Sequence, residues 1–375
     1  MSGIYFHIPF CRKACFYCDF HFTTSGNYVE EMVQMQLKEL YDRRNELGDS
    51  LVKTIYFGGG TPSVLKSDAI KEFIGRVEEC YTMSPDVEIT LEANPDDLTK
   101  EKIRELKESG VNRLSVGIQS FREQDLVFMN RSHNAGQSDY AVKSAQDNGF
   151  ENITIDLIYA IPGLDIHAWK ENLRLAGELN VPHISAYCLT IEEKTVFGKK
   201  FASGKFPEID TYVAEEQFEC LVETLPFYGI NQYEVSNFSK EGYESKHNTS
   251  YWNGESYLGI GPSAHSYGEG KRSWNISNNT VYMNGISKGC RSFEEEVLDD
   301  RTIYNEYVMT SLRTVKGLSS EWISRRFGIS FEKENEERLS QWMSEGKMKK
   351  NGDTFALTTK GFLWADRISS DLFVI

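Results

Sequence analysis

The sequence has no apolar run approaching the roughly 20 residues that cross a bilayer. Its amino-terminal stretch MSGIYFHIPFCRK carries neither a long apolar core nor a small-residue cleavage site. Neither a membrane anchor nor a secretory leader is expected, and a cytoplasmic protein is. Positive charge is also short: Lys and Arg number 41 against 56 Asp and Glu, a formal net charge of −15. A protein whose main work is gripping a phosphate backbone would carry the opposite balance, so nucleic acid is not an expected partner. Seven cysteines, odd in number, give no disulfide framework of the kind that staples small secreted scaffolds. Low-complexity linkers and repeats of 20–50 residues are missing too. With 40% hydrophobic residues the chain is long and apolar enough for a large folded core.

What is present is an alternation. Runs rich in Ile, Val, Tyr and Phe at Ile4–Ile8, Thr54–Phe57, Val87–Leu91, Arg113–Ile118, Ile153–Ile158 and His183–Leu189 read as strands. Segments with helical spacing lie between them, with Gly48, Gly110 and Gly149 just past three of their ends. Six strand–helix repeats predict an α/β fold with a parallel sheet, either open and doubly wound or curved toward a barrel. The loops after the strands are chemically distinctive. They hold the cysteines, Gly58-Gly59-Gly60-Thr61-Pro62, Glu92-Ala93-Asn94-Pro95, Gln119-Ser120-Phe121 and Ile161-Pro162-Gly163. Ligands of parallel α/β folds sit at the carboxyl ends of strands, so these loops are expected to face one site. From about Ile209 the texture changes to an amphipathic helix, a strand over Gln232–Phe238 and a turn-rich aromatic stretch expected to extend the sheet. From about Asp300, helices at Ile303–Leu312, Ser319–Phe327 and Phe331–Glu345 and a hairpin around Asn351-Gly352 predict a small winged-helix-like module. A DNA-binding role for it is disfavoured by Glu321, Glu332, Glu334, Glu336 and Glu337. The expected division is 1–230, 231–300 and 301–375.

Cys11, Cys15 and Cys18 form C-x3-C-x2-C after the first strand. A closed structural zinc site takes four ligands, usually in two spaced pairs, and no second pair lies nearby. A redox disulfide between Cys15 and Cys18 leaves Cys11 idle and lacks the helix N-terminus that lowers a redox thiol's pKa. Three thiolates suit a [4Fe-4S] cluster with one iron left open for a small ligand.

This motif, with Tyr17 before its last cysteine, resembles the radical S-adenosylmethionine (SAM) superfamily, and Gly58-Gly59-Gly60-Thr61-Pro62 resembles that family's glycine-rich loop. The resemblance implies a partial (β/α)6 barrel. It also implies an open iron chelated by the amino and carboxylate groups of SAM, and an electron from the cluster that cleaves the sulfonium. A closer similarity spans nearly the whole chain and is to the oxygen-independent coproporphyrinogen oxidase group and its relatives, the HemW-type haem chaperones. It rests on Tyr5-Phe6-His7-Ile8-Pro9-Phe10-Cys11, Phe57 to Ser63, Glu92 to Pro95, Gly117 to Phe121, Asn130-Arg131-Ser132-His133 and Asp156 to Gly163. The resemblance implies that Tyr5, Tyr17, Gly59, Gly60, Thr61, Glu92, Gln119, Arg131 and Asp156 line the SAM site.

Within this group the chain resembles the chaperones rather than the oxidases. It has Cys18-Asp19-Phe20 where the oxidases carry a fourth cysteine, and only ten residues precede Cys11 where they have a long extension. His247-Asn248-Thr249-Ser250-Tyr251-Trp252 reproduces the H-N-x-x-Y-W signature of the chaperones, and Tyr257 to Ser266 resembles the glycine-rich stretch that follows it. By composition alone His247 reads as a hydrogen-bonded structural histidine. The resemblance is what makes it a candidate axial ligand of haem, with Tyr251 and Trp252 as flat walls for the porphyrin. A haem chaperone is therefore expected, with a [4Fe-4S] cluster, SAM and haem as its cofactors. Its expected partners are haem-acceptor proteins, respiratory and membrane-associated ones among them, and a homodimer formed on haem binding is left open. The competing readings are a radical enzyme decarboxylating coproporphyrinogen and a winged-helix regulator that uses its cluster as a sensor.

Overall fold

The computed structural model describes residues 2–206 and 210–374. The first half alternates as the sequence predicts: β1 (Ser2–Ile8), α1 (Val29–Asp42), β2 (Val52–Gly59), α2 (Ser67–Cys80), β3 (Met83–Ala93), α3 (Lys100–Glu108), β4 (Arg113–Gln119), α4 (Glu123–Phe128), α5 (Ala135–Asp147), β5 (Asn152–Tyr159), α6 (Ile166–Glu178) and β6 (His183–Cys188). These six strands pair in parallel and in chain order. An order that never reverses has no switch point, and right-handed crossovers then place every helix on the same face of the sheet. Of the two architectures left open by the sequence, the structure adopts the one that curves toward a barrel.

Alternation along each strand sorts its side chains between the two faces. Ile4, Phe6, Ile55, Phe57, Leu91, Leu114, Val116, Ile153 and Ile155 are fully buried and belong to one core with Leu37, Phe73, Val77 and Leu106 of the helices. The intervening positions carry Tyr5, His7, Thr54, Tyr56, Glu88, Glu92, Arg113, Ser115, Thr154, Asp156 and His183, so the inner face is polar and aromatic. Truncating an outward residue such as Phe57 to Ala would cost about 3–5 kcal/mol through lost burial and a cavity.

The rest of the chain extends this sheet at both ends. After α7 (Val196–Ala202) and α8 (Thr211–Thr224) the strand expected over Gln232–Phe238 is instead two short strands, β7 (Asn231–Gln232) and β8 (Asn237–Ser239), paired antiparallel. The chain folds back because the Glu234 carboxylate accepts from the Ser236 amide (3.3 Å), while the Val235 amide bonds the Arg313 carbonyl (2.8 Å) rather than a strand neighbour. The expected start of α8's helix at Ile209 lies outside the described residues. Then come α9 (Lys246–Trp252), β9 (Ser256–Ile260), β10 (His265–Gly268), β11 (Lys271–Asn275), α10 (Asn279–Ser287) and β12 (Phe293–Val297). β9 joins β1 in parallel, making a seventh parallel strand, and β10 to β12 continue antiparallel.

The carboxyl-terminal region holds α11 (Asp300–Leu312), β13 (Leu318–Ser319), α12 (Ser320–Phe327), α13 (Phe331–Glu334), α14 (Glu336–Ser344), β14 (Met348–Asn351), β15 (Thr354–Leu357), α15 (Thr359–Phe362) and α16 (Ala365–Asp371). Its three strands form a separate antiparallel sheet. The helix expected over Phe331–Glu345 is broken at Asn335, which leaves helical geometry (φ −121°, ψ 18°) and bonds the Phe331 carbonyl at 3.0 Å. No helix among the described residues is long and apolar enough to cross a membrane.

Candidate functional site

The loop after β1 is held on three sides. The Cys11 amide bonds the Thr23 carbonyl (2.9 Å), the Phe16 amide bonds the Met129 carbonyl (3.1 Å), and the Phe16 ring meets Phe197 edge-on within a cluster that includes Phe128 and Phe206. Thr61 Oγ1 donates to Cys11 Sγ at 3.3 Å, and Arg131 Nη1 donates to Cys15 Sγ and to the Tyr17 hydroxyl, each at 3.3 Å. Arg131 is fixed in turn by Nη2, which donates to Asn94 Oδ1 (2.7 Å) and the Gly117 carbonyl (2.8 Å). Burial pushes the Cys11 thiol up to about 11 and the Cys18 thiol up to about 12. Thiolates at these positions therefore need a positive partner, which is what a metal cluster supplies. Cys11, Cys15 and Cys18 are free and half-buried. Among the described residues no three His, Cys, Asp or Glu side chains converge on a point suited to a single metal ion.

The three cysteines open on a cavity of about 590 Å³ at the carboxyl ends of the strands. Tyr17, Gly59, Gly60, Thr61, Glu92, Gln119, Arg131 and Asp156 line it with them. Tyr5 does not: it lies one layer deeper, stacked on Tyr56 with ring centroids 6.0 Å apart, its hydroxyl 3.2 Å from His7 Nδ1. Asn94, Ser115 and Tyr187 also line the cavity, although sequence reasoning gave none of them a role. Counting two residues back from Gly117 on β4 and two on from Ser185 on β6 would have found the latter two.

Glu92 and Asp156 form the acidic end. Burial, the leading cause in both, raises Glu92 to about 7 and Asp156 to about 6, and the Tyr56 hydroxyl donating to Glu92 Oε1 at 2.8 Å opposes part of the rise. Carboxyls poised in this range can accept from ribose hydroxyls or face an ammonium, which would draw them to the charged form. The opposite end has Arg131 and the thiols. The donor set thus fits a cluster-bound amino acid with an attached nucleoside.

The glycine loop has an internal reason for its composition. A Cβ on Gly59, at φ +102°, would sit 2.5 Å from the His7 ring, and one on Gly60 would lie 2.7 Å from the Ile8 and Phe10 carbonyl oxygens. The loop packs directly onto the end of β1, so glycine is needed there whatever the ligand. His7 is held by its Nε2 against the His21 carbonyl (2.8 Å), and His133 by Nε2 against the Ile118 carbonyl (3.1 Å).

The H-N-x-x-Y-W segment is α9, started by Ser245, whose hydroxyl accepts from the Asn248 amide at 3.3 Å. Its amino end sits on Glu88, which accepts from the Lys246 and His247 amides, each at 3.2 Å. The His247 ring points into the barrel and is 1% exposed. Nδ1 bonds Thr54 Oγ1 (2.7 Å), Nε2 bonds the Tyr251 hydroxyl (2.8 Å), and the ring stacks on Tyr56 at 4.9 Å and 23°. Thr54 is level with Gly3 and Glu88, four residues and roughly 13 Å of strand before the level of Glu92. The structure therefore does not bring His247 to the cysteine cavity, nor leave a ring nitrogen free for iron. Tyr251 and Trp252 line a second cavity of about 560 Å³ between α9, the sheet extension and the carboxyl-terminal region.

Comparison with known proteins places the chain among relatives of one kind. Residues 5–176 match the radical SAM superfamily and residues 298–364 match the HemN C-terminal domain. The haem chaperone HemW of Lactococcus lactis is 36% identical, over 96% of this chain and 94% of its own. The haem chaperone HemW of Bacillus subtilis is 33% identical over 98% of both. Among solved structures, coproporphyrinogen III oxidase (HemN) of Escherichia coli superposes with a TM-score of 0.86 over all of this chain and 90% of that one. At 20% identity this likeness speaks for the fold alone.

Proposed function

The chain belongs to the HemW family of radical SAM proteins, and from that premise we propose that it is a haem chaperone, binding haem and delivering it to haem-requiring proteins. The observation that carries this reading is similarity to haem chaperones over essentially the full chain, with the signature helix α9 included. The oxidase reading has behind it the shared fold and the match of residues 298–364 to the HemN C-terminal domain, but no full-length similarity of the kind that links the chain to the chaperones.

The family implies SAM and a [4Fe-4S] cluster. Cys11, Cys15 and Cys18 would hold the cluster, which when bound would supply an iron open to SAM and one-electron chemistry. Around it this chain's residues position and neutralise. Arg131 sets its positive charge against Cys15 and Tyr17, and Thr61 donates to Cys11. Gly59, Gly60 and Thr61 would border the methionyl end of SAM, while Glu92, Gln119 and Asp156 would accept from or donate to the rest. Tyr5 supports this layer from beneath. Tyr251 and Trp252 contact haem, and His247 serves them by anchoring their helix to Thr54.

The test is spectroscopic. Anaerobically reconstituted protein should shift the Soret band of added haem. With SAM, dithionite and coproporphyrinogen it should give no decarboxylated product by HPLC; turnover without haem binding would reverse the assignment.

A further inference from the structure

We propose that haem occupies the cleft between α9, the β9–β11 face and the helices α11 and α12, so that the carboxyl-terminal region forms one wall of the haem site. The inference rests on the chaperone reading and says where the cargo lies.

Space is the first argument. The cavity over the cysteines, about 590 Å³, is the one the family's cluster and SAM would fill, so a macrocycle needs another place. The second cavity, about 560 Å³, is the one that Tyr251 and Trp252 of the signature line. His247 explains why they face it: with both ring nitrogens bonded inside the barrel, it pins α9 in a single orientation.

The lining suits a flat macrocycle with two carboxylates. Tyr257 and Tyr267 offer near-parallel rings from the sheet side (6.3 Å, 23°), and Tyr307 and Trp322 a stacked pair from the helices (3.8 Å, 24°). Trp322 is 38% exposed, a large aromatic that its own region leaves partly uncovered. The buried indole N–H of Trp252 has no hydrogen-bond partner. Arg272 and Lys316 supply cations for propionates in a chain of net charge −15. Arg272 is paired with Glu306 at 2.6 Å across the cleft, and Glu255 also lines it. A propionate would therefore take Arg272 from Glu306, whereas Lys316 has no ion-pair partner among the described residues.

Three variants test this: Tyr267→Ala, Trp322→Ala and the surface change Lys316→Glu. Each is reconstituted with cluster and titrated with haem and, separately, with SAM. The two aromatic variants should bind haem at least tenfold more weakly while SAM affinity and cluster absorption stay at wild-type values. Lys316→Glu should weaken haem severalfold and leave protoporphyrin dimethyl ester, which has no carboxylates, unchanged. Should the aromatic variants fail to fold, the Lys316 comparison alone decides, since that side chain is exposed. Wild-type haem affinity in Lys316→Glu and in whichever aromatic variants fold would overturn the location, as would loss of haem binding in Tyr187→Ala, on the cysteine cavity, with the cleft variants unaffected. Absence of haem binding by the wild type would instead remove the chaperone reading, and the location with it.

Discussion

His247 Nε2 lies 2.8 Å from the Tyr251 hydroxyl, one turn along the same helix, and the two rings meet edge-on with centroids 5.0 Å apart. The first residue of H-N-x-x-Y-W is thereby turned away from both cavities and spent on holding its neighbour. His247→Ala should leave Thr54 and Tyr251 without partners and open a void beside Tyr56, for a loss of about 2–4 kcal/mol in denaturant unfolding. Haem that the variant still binds should keep the wild-type Soret position. A displaced Soret band in a variant of wild-type stability would make His247 the iron ligand instead.

Burial also lowers the His247 pKa to about 3. Between that value and the ordinary 6.5 the unfolded chain binds a proton that the native ring does not, so this stability is complete above pH 6.5 and is lost as pH falls toward 3. The neutral mimic His247→Gln should flatten the decline in unfolding free energy between pH 6 and pH 4.

Glu92 works in the other direction. With its folded pKa raised from 4.5 to about 7, the native carboxyl holds a proton that the unfolded chain has released, so its burial costs stability progressively as pH rises through that window. Glu92→Gln should make the cluster-free protein more stable at pH 8, with little change at pH 4.5, and should weaken SAM binding about tenfold or more by calorimetry. Equal SAM affinity in the variant would take Glu92 out of the site.

Glycine substitutions in the loop after β2 should harm the protein before any ligand is added. A Cβ at Gly60 meets two backbone carbonyls that cannot move aside. Gly60→Ala should therefore lower thermal stability by several degrees without cluster or SAM and reduce cluster loading, whereas a loss confined to SAM binding would mean that the loop yields.

The architecture was legible from the sequence because strand and helix periods alternate cleanly from Ile4 to Leu189, and the cysteine cavity because its residues sit in the carboxyl-terminal halves of strands and in the loops that follow them. Orientation was harder to read. Nothing in H-N-x-x-Y-W says that the first position faces a barrel interior and the last two a cleft; that depends on Thr54 and Glu88, about 160 to 190 residues earlier in the chain. The break at Asn335 and the turn at Glu234 were missed for a similar reason. Each is set by a polar group bonding backbone in place of the regular ladder, which hydrophobic period does not report.

Of the three cysteines proposed to hold the cluster, Cys15 is the one whose sulfur Arg131 contacts. Cys15→Ala should abolish the broad visible absorption of the reconstituted cluster and its reduced-state EPR signal. Full cluster content per chain in that variant would refute the three-cysteine assignment.

The account stands most directly on haem transfer. Haem-loaded, cluster-bearing protein should be mixed anaerobically with the apo form of a haem-requiring enzyme, then separated from it, with haem followed in both fractions. The account predicts that the Soret absorption leaves this protein and that acceptor activity appears in proportion, with free haem at the same concentration less effective. Haem that is never bound, or that is held without passing to the acceptor, would contradict it.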